Sequence, residues 1–326
     1  MQPLVSIVVP NYNGEGKLNL LFDSILKQDY PPDKIEISIG DDGSTDNSIS
    51  IIDDYRSKGL NVKLRRNEVN KGRASATNLA INQAEGEIVI ICDNDFVLPS
   101  DFIKEHLKSH MNVSKTVVIG ALQNKHTFHT IYTDFVDYYQ QKQNSICLKN
   151  KNSLSFIYFR ANSSFKKSEF QNLKLSNEDF KGWGYEDVEF GYRLAKEGFK
   201  FIYNSSALAY HHLCENNFYI RCSRNYNCGK NKALFVALYP QGKYDILSKK
   251  IYSKNILVKI NYFFRFLFCW LIINNRIFSE RTILNFLYKF VIFWEKRRMK
   301  FPLFQFYHIV SGIYLDVGYF KNLANK

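Results

Sequence analysis

The sequence predicts an α/β protein with a mainly parallel sheet flanked by helices, followed by a basic, aromatic, helical extension. Three observations lead there. β-Branched runs alternate with helically spaced apolar residues through the first hundred positions, each run stops at polar residues, and the composition changes near residue 240.

Val5-Ser6-Ile7-Val8-Val9 is apolar and β-branched and closes on Pro10 and Asn11, which predicts a buried strand ending in a loop. Leu18, Leu21, Phe22, Ile25 and Leu26 recur at helical spacing over 18–27, and Ile35 to Ile39 reads as a second strand stopped by Gly40-Asp41-Asp42-Gly43. A helix over 48–58, a strand near 62–64, a helix near 74–84 and the strand Ile88 to Cys92 continue the alternation. Sheets of this kind bind ligands beyond the carboxyl ends of their strands. Asn11 and Tyr12, Asp41 and Asp42, and Asp93 and Asp95 are therefore expected at one cleft. Residues 120–175 show no clear period, and no element is assigned there. A boundary is expected near Gln241, separating a body at 1–240, divided at about residue 100, from an extension at 241–326.

Apolar residues make up 45% of the 326, enough for a sizeable core, and the formal charge is +13. Residues 241–326 hold 15 Lys or Arg against 4 Asp or Glu, so nearly all the excess positive charge lies in the extension. Its apolar runs, Ile256 to Trp270 and Ile283 to Trp294, are interrupted by Lys259, Arg265 and Lys289, which argues against a membrane-spanning helix. Aromatic helices with the basic cluster Lys296 to Lys300 suit the surface of an anionic membrane better than nucleic acid, because the charge is interleaved with aliphatic runs. The alternative is a helical extension packed on the body or on a second copy.

Met1-Gln2-Pro3 runs directly into an apolar stretch with no basic leader, so a secretion signal is not expected. The six cysteines form no framework, which suggests reduced thiols in the cytoplasm. His211, His212, Cys214, Cys222 and Cys228 cluster in sequence, but without a CxxC pair a structural zinc is not favoured.

No glycine-rich phosphate loop follows the first strand, so a metal is the natural substitute for holding phosphates. Asp93-Asn94-Asp95 follows a buried strand and offers hard oxygen ligands suited to Mg²⁺ or Mn²⁺. In Lys181-Gly182-Trp183-Gly184-Tyr185-Glu186-Asp187, glycines permit a tight loop, the indole offers a platform for a sugar, and the two acids open a helix where a carboxylate can take a proton from a hydroxyl. Acids at a helix start can also merely complement its dipole. Ala209-Tyr210-His211-His212, expected beyond a strand at 199–203, supplies a third metal ligand, with His211 preferred over His212.

Val9-Pro10-Asn11-Tyr12-Asn13, Asp41-Asp42-Gly43-Ser44-Thr45-Asp46 and Asp93-Asn94-Asp95 make residues 5–96 resemble the nucleotide-binding half of glycosyltransferase family 2. Residues 181–212 resemble the acceptor side of the chondroitin-polymerase and β-galactosyltransferase type, where Gly-Trp-Gly-x-Glu-Asp precedes a metal-binding histidine. The resemblance implies a GT-A fold and an inverting, metal-dependent transfer from a UDP-sugar to a glycan hydroxyl. The glycan would be a bacterial-type surface polysaccharide or a lipid-linked oligosaccharide, handled at the cytoplasmic face of the inner membrane. It implies Pro10, Tyr12 and Asp42 at the nucleobase, with Asp42 reading the uracil edge. Asp93 falls near ribose and metal, Asp95 and His211 on the metal, and Asp187 as base, while Glu186, Trp183, Gly184 and Tyr185 contact the acceptor. Asn78 falls at the donor, but Thr77 stands where the family carries Arg, leaving Lys71 and Arg73 as the nearest cations. Tyr185 stands where relatives commonly have Gly, which narrows the acceptor side. Retaining transfer, a different nucleotide, and an inactive glycan-binding protein are the alternatives.

Overall fold

The computed structural model describes residues 2–170, 173, 175–213, 218–241, 280–296 and 300–323. The first four apolar runs form β1 (Val5–Asn11), β2 (Ile35–Asp41), β3 (Val62–Arg66) and β4 (Ile88–Ile91), separated by helices α1 (Leu18–Ile25), α2 (Ser48–Ser57) and α3 (Arg73–Gln83). Then come β5 (Phe96–Val97), α4 (Phe102–Lys108), β6 (Thr116–His126), α5 (Ile131–Lys149), β7 (Ser163–Lys166), α6 (Glu186–Lys196) and β8 (Lys200–Leu213). Helices α7 (Phe218–Leu238), α8 (Glu280–Lys296) and α9 (Lys300–Leu323) complete the described chain. The predicted run Ile256 to Trp270 with Lys259 and Arg265, the middle of the basic cluster at 297–299, and Cys214 lie outside the described residues.

The strands make one sheet in the order β3-β2-β1-β4-β7-β6-β8-β5. The β3-β2-β1-β4 part is wholly parallel, as the alternation predicts. β7 enters antiparallel between β4 and β6, and β5 lies antiparallel on the edge of β8, so the sheet is mixed. β1, β2 and β4 are buried along their full length, whereas β3 is buried only at Val62; Ile7, Val9, Ile37, Ile39 and Ile90 are wholly enclosed in one core with Leu18, Leu21 and Phe22 of α1. Burying each such side chain is worth about 1.5–3 kcal/mol, which makes this half of the sheet a stiff base for its loops.

Two expectations are corrected. The stretch 120–175, left unassigned, carries most of β6, the 19-residue α5 and β7. Helix α5 is weakly amphipathic because its two ends belong to different units, so no single apolar stripe marks it. Residues 209–212 do not lie beyond a strand: β8 runs on to Leu213, past a register shift opposite Gly120 and Ala121. Polar Asn204, Ser205 and Ser206 at that irregularity hide the continuation in the sequence.

The chain divides into two compact units, one formed by Met1–Thr127, Asp137–Lys181 and Glu186–Cys214, the other by Phe128–Val136, Gly182–Tyr185 and Glu215–Lys326. The first contains the whole sheet. In the second, Tyr132, Phe135 and Phe218 surround the buried ring of Tyr307, with centroids 4.7–5.4 Å away. There α7 and α9 meet through reciprocal glycines: a Cβ on Gly229 would lie 2.0 Å from the Leu315 carbonyl oxygen, and one on Gly318 would lie 2.2 Å from that of Tyr226. Neither position has room for a side chain. Among the described residues no helix is long and apolar enough to cross a membrane.

Candidate active site

Three strand ends are tied together by Asn11. Its amide donates to Asp41 at 2.9 Å and to the Ser44 hydroxyl at 3.2 Å, while its carbonyl accepts from Asn94 at 2.8 Å. The loops after β1, β2 and β4 are thereby locked at one edge. Asp41 is fully buried, with Arg66 at 2.9 Å; burial works against its charge, but the hydrogen bonds from Ser44 and Asn11 outweigh it and hold the carboxyl below its ordinary pKa. Asp42, also buried, accepts from Asn67 at 2.8 Å and from the backbone N–H groups of Lys71 and Gly72 at 2.9 and 2.7 Å. A carboxylate has about four acceptor positions, so one remains for a ligand. Pro10 is buried in β1, and the Tyr12 ring is 46% exposed, available for stacking.

After β4 the chain turns through Asp93 and Asp95 into β5. Phe96 and Val97 pair with His211 and Tyr210 of β8, and the His212 N–H donates to the Asp95 carbonyl at 2.9 Å. This pairing delivers His211 to the acids. Ligand atoms of Asp93, Asp95 and His211 lie within 4.8 Å of one another, the one group among the described residues arranged to hold a metal. His211 Nε2 is 3.3 Å from Asp95 Oδ1, misaligned for a hydrogen bond, and that buried oxygen has no hydrogen-bond partner. An orphaned carboxylate oxygen facing an imidazole nitrogen fits a divalent cation between them. Strand alternation puts His212 on the opposite face.

Helix α6 begins at Glu186, as the sequence suggests, with Asp187 next to it. Burial first, and then the charge of Asp187, raises the Glu186 pKa; burial likewise raises that of Asp187, against the pull of Arg73. One Glu186 oxygen has no hydrogen-bond partner, and the other lies 3.6 Å from Arg73 Nε. The same guanidinium donates to Asp93, so Arg73 joins the metal-side acid to the helix-start acids. Arg73 and Thr77 sit one turn apart on α3, with the Thr77 hydroxyl on the Arg73 carbonyl at 2.9 Å. The cation therefore stands a turn before the position the resemblance assigns it. Asn78 is not brought into this group: its amide donates to the Ser176 carbonyl and to Glu178, both at 2.9 Å.

The loop Gly182–Tyr185 belongs to the second unit and is shaped by α7. Arg224 stacks its guanidinium 4.1 Å from the Trp183 ring centroid, and Asn231 donates to the Gly184 carbonyl at 2.7 Å. Gly184 has φ +86°, and a Cβ there would lie 2.6 Å from Cys228 Sγ. Tyr185 follows at φ +74°, a left-handed conformation that favours glycine and costs a bulky residue roughly 1–2 kcal/mol. Its ring packs against Phe235 at 6.0 Å.

The family model described as "Glycosyl transferase family 2" matches residues 6–173, and one described as "N-terminal domain of galactosyltransferase" matches 153–213. Poly(ribitol-phosphate) β-N-acetylglucosaminyltransferase TarS of Staphylococcus aureus is 39% identical over 101 residues, covering 31% of this chain and 18% of that protein. Chondroitin synthase of Pasteurella multocida is 26% identical over 239 residues, 64% of this chain and 24% of that protein. The chain thus spans about a quarter or less of the length of these two relatives. Among solved structures, the mannosyltransferase PcManGT from Pyrobaculum calidifontis in complex with GDP-Man and Mn²⁺ superposes with a TM-score of 0.65 at 18% identity, over 100% of this chain and 88% of that one. S. aureus TarS 1–349 in complex with UDP superposes at 0.54 and 19% identity, over 99% and 92%. At these identities the likeness is one of fold.

Proposed function

The chain belongs to glycosyl transferase family 2 and has a GT-A fold, and from that premise we propose that it transfers a sugar from a UDP-sugar to a hydroxyl of a glycan, with inversion and with a divalent cation. The observation that carries this reading is the meeting at one sheet edge of Asp93, Asp95 and His211 with the Glu186–Asp187 pair, joined through Arg73.

On this reading Tyr12 stacks on the uracil and the remaining acceptor position of Asp42 takes its N3–H. Asp93, Asp95 and His211 would hold Mn²⁺ or Mg²⁺, whose charge stabilises the leaving diphosphate. Asp187, made more basic by burial, accepts the proton of the acceptor hydroxyl as its oxygen bonds to the anomeric carbon and the bond to the diphosphate breaks. Glu186 holds the acceptor, and Trp183 offers its partly exposed indole to the sugar face. Arg73 fixes Asp93 and Glu186 in one arrangement and adds positive charge where the diphosphate would lie.

Association with an anionic membrane surface, and with it a lipid-linked acceptor at the cytoplasmic face, is part of the same proposal. Phe286, Phe290 and Phe293 recur at helical spacing on α8 and are 67%, 40% and 48% exposed, as an interfacial helix requires. Consumption of a panel of nucleotide sugars with Mn²⁺, with and without glycan acceptors, tests the chemistry. Turnover of a GDP-sugar in preference to UDP-sugars, or a product of retained configuration, would overturn the donor or the stereochemistry. Sedimentation with phosphatidylglycerol vesicles tests the membrane contact.

A further inference from the structure

Arg224 has no part in the proposed reaction, yet α7 directs it at the loop beside the proposed base. Arg224, Cys228 and Asn231 recur at i, i+4 and i+7, so they share one face of the helix. All three meet the loop Gly182–Tyr185. Arg224 lies over the Trp183 ring, Cys228 Sγ occupies the space that a Gly184 Cβ would take, and Asn231 donates to the Gly184 carbonyl at 2.7 Å. Helix and loop belong to the same unit, and the loop runs directly into Glu186 and Asp187.

The guanidinium is held in place and yet unpaired. It sits 4.1 Å from the Trp183 ring centroid, and stacking on an indole restricts a side chain that would otherwise move freely. Among the described residues no carboxylate or hydrogen-bond acceptor engages it. Arg224 is half-buried, and none of its nitrogens is enclosed, so its N–H donors remain open to a ligand. Helix α7 supplies no counter-ion of its own: it carries Arg221, Arg224, Lys230 and Lys232 and no Asp or Glu. A planar guanidinium presents paired donors that match a carboxylate or phosphate. Stacking has already restricted this one, so an anion that binds it costs less side-chain entropy than at a free surface Arg.

We infer that Arg224, mounted on Trp183, is the receptor for an oxyanion of the acceptor, and that the acceptor is a glycan bearing carboxylate or phosphate groups. Arg224 covers one face of the indole, and among the described residues no second group stacks on that ring. With Trp183 46% exposed, a sugar can still lie against it. An oxyanion on that stacked sugar would face the indole and not the guanidinium, so the group Arg224 takes belongs to the neighbouring unit or to the linkage between them. The acceptor rather than the donor is indicated because Arg224 is stacked on the acceptor loop, whereas the Lys and Arg acting on the metal-side Asp95 are Lys17 and Arg73. The inference rests on the transferase reading, which gives that loop its acceptor role.

Calorimetric titration of the full chain, saturated with UDP and Mn²⁺, tests it with three disaccharides of one backbone: methyl β-cellobioside, the same glycoside oxidised to a uronic acid at one C6, and its 6-phosphate. Wild type is expected to bind one of the two anions at least tenfold more tightly than the neutral glycoside; which one it prefers separates carboxylate from phosphate. Arg224→Met, which keeps an apolar chain against the indole, should lose that preference and hold its UDP affinity within about twofold. Arg224→Lys keeps the charge but not the paired donors and should lose most of the preference; if Arg224→Met folds poorly, this variant decides. Lys230→Met, which removes an exposed charge from the same helix, should leave the preference unchanged. Equal or absent binding of the three probes by wild type, a preference that survives in the Arg224 variants, or one lost equally in Lys230→Met would each overturn the inference. Failure of wild type to bind UDP with Mn²⁺, with an Arg224-dependent preference intact, would instead overturn the transferase reading and leave the anion receptor standing.

Discussion

His211 Nε2 stands 3.3 Å from Asp95 Oδ1, and that buried oxygen accepts no hydrogen bond. If a divalent cation belongs between them, Asp95→Asn should weaken Mn²⁺-dependent UDP binding by about 100-fold, since even outer partners of metal ligands are worth 10–100-fold. The fold should survive, because Asp95 sits in a turn and not in the apolar core. Unchanged calorimetric UDP affinity in the variant would remove the metal assignment.

Asp187→Asn should lower turnover by roughly two to four orders of magnitude with little change in UDP affinity, the signature of a lost base. Glu186→Gln separates the two carboxylates. If it abolishes transfer while Asp187→Asn does not, the base is Glu186. Because burial raises the pKa of both acids, activity should fall as pH drops through a range higher than that of an ordinary carboxylate, with the protonated form inactive.

Arg73→Lys should be almost as damaging as Arg73→Met. The planar guanidinium reaches Asp93 and Glu186 together, whereas an ammonium on a flexible stem serves one carboxylate at a time. Both donor KM and kcat are expected to worsen, by about tenfold or more in kcat/KM. Near-normal kinetics for the Lys variant would reduce the role of Arg73 to its charge alone.

Tyr185→Gly removes a left-handed backbone strain of roughly 1–2 kcal/mol but also the ring contact with Phe235, and it adds about 1 kcal/mol of chain entropy cost. These nearly cancel, so Tm should move by only a few degrees. Acceptor selectivity should relax while UDP affinity holds. A variant with wild-type acceptor selectivity would show that the ring does not narrow the site.

His106 is fully enclosed, with Ser164 at 2.8 Å and Asn162 at 2.9 Å, and His110 shares the Ser164 hydroxyl at 2.8 Å. Burial lowers each pKa to about 4 from the ordinary 6.5. The unfolded chain therefore binds more protons than the folded one between these limits. The stability contributed by neutral histidines is full above about pH 6.5 and is lost as pH falls toward 4, at up to about 1.4 kcal/mol per pH unit for each histidine. Denaturant melts across that range should flatten in His106→Gln and His110→Gln, and parallel profiles would refute this origin.

The parallel half of the sheet was legible because Val5 to Val9, Ile35 to Ile39 and Ile88 to Cys92 are apolar runs ended by turn residues, and such runs have few other uses. The acids after those runs and the pair opening α6 followed from the same logic. The middle of the chain was opaque for a physical reason: α5 divides its apolar positions between two units, and β8 crosses a polar irregularity at 204–206. The positive φ of Tyr185 was invisible in the sequence, although the resemblance, which implies Gly there, marked the place.

The reciprocal glycines of α7 and α9 bear on how the protein can be cut. A fragment ended at residue 240 would strip α9 from α7 and leave the backbone around Gly229 as a bare, wet furrow. The same helix carries Arg224, Cys228 and Asn231, which shape the Trp183–Gly184 loop. A C-terminal truncation made to detach the protein from lipid would therefore also loosen the acceptor loop, and loss of transfer in such a fragment would not separate membrane attachment from catalysis. Charge-reversing substitutions on the exposed side of α8, such as Lys289→Glu, leave that helix pair whole and make the cleaner dissection.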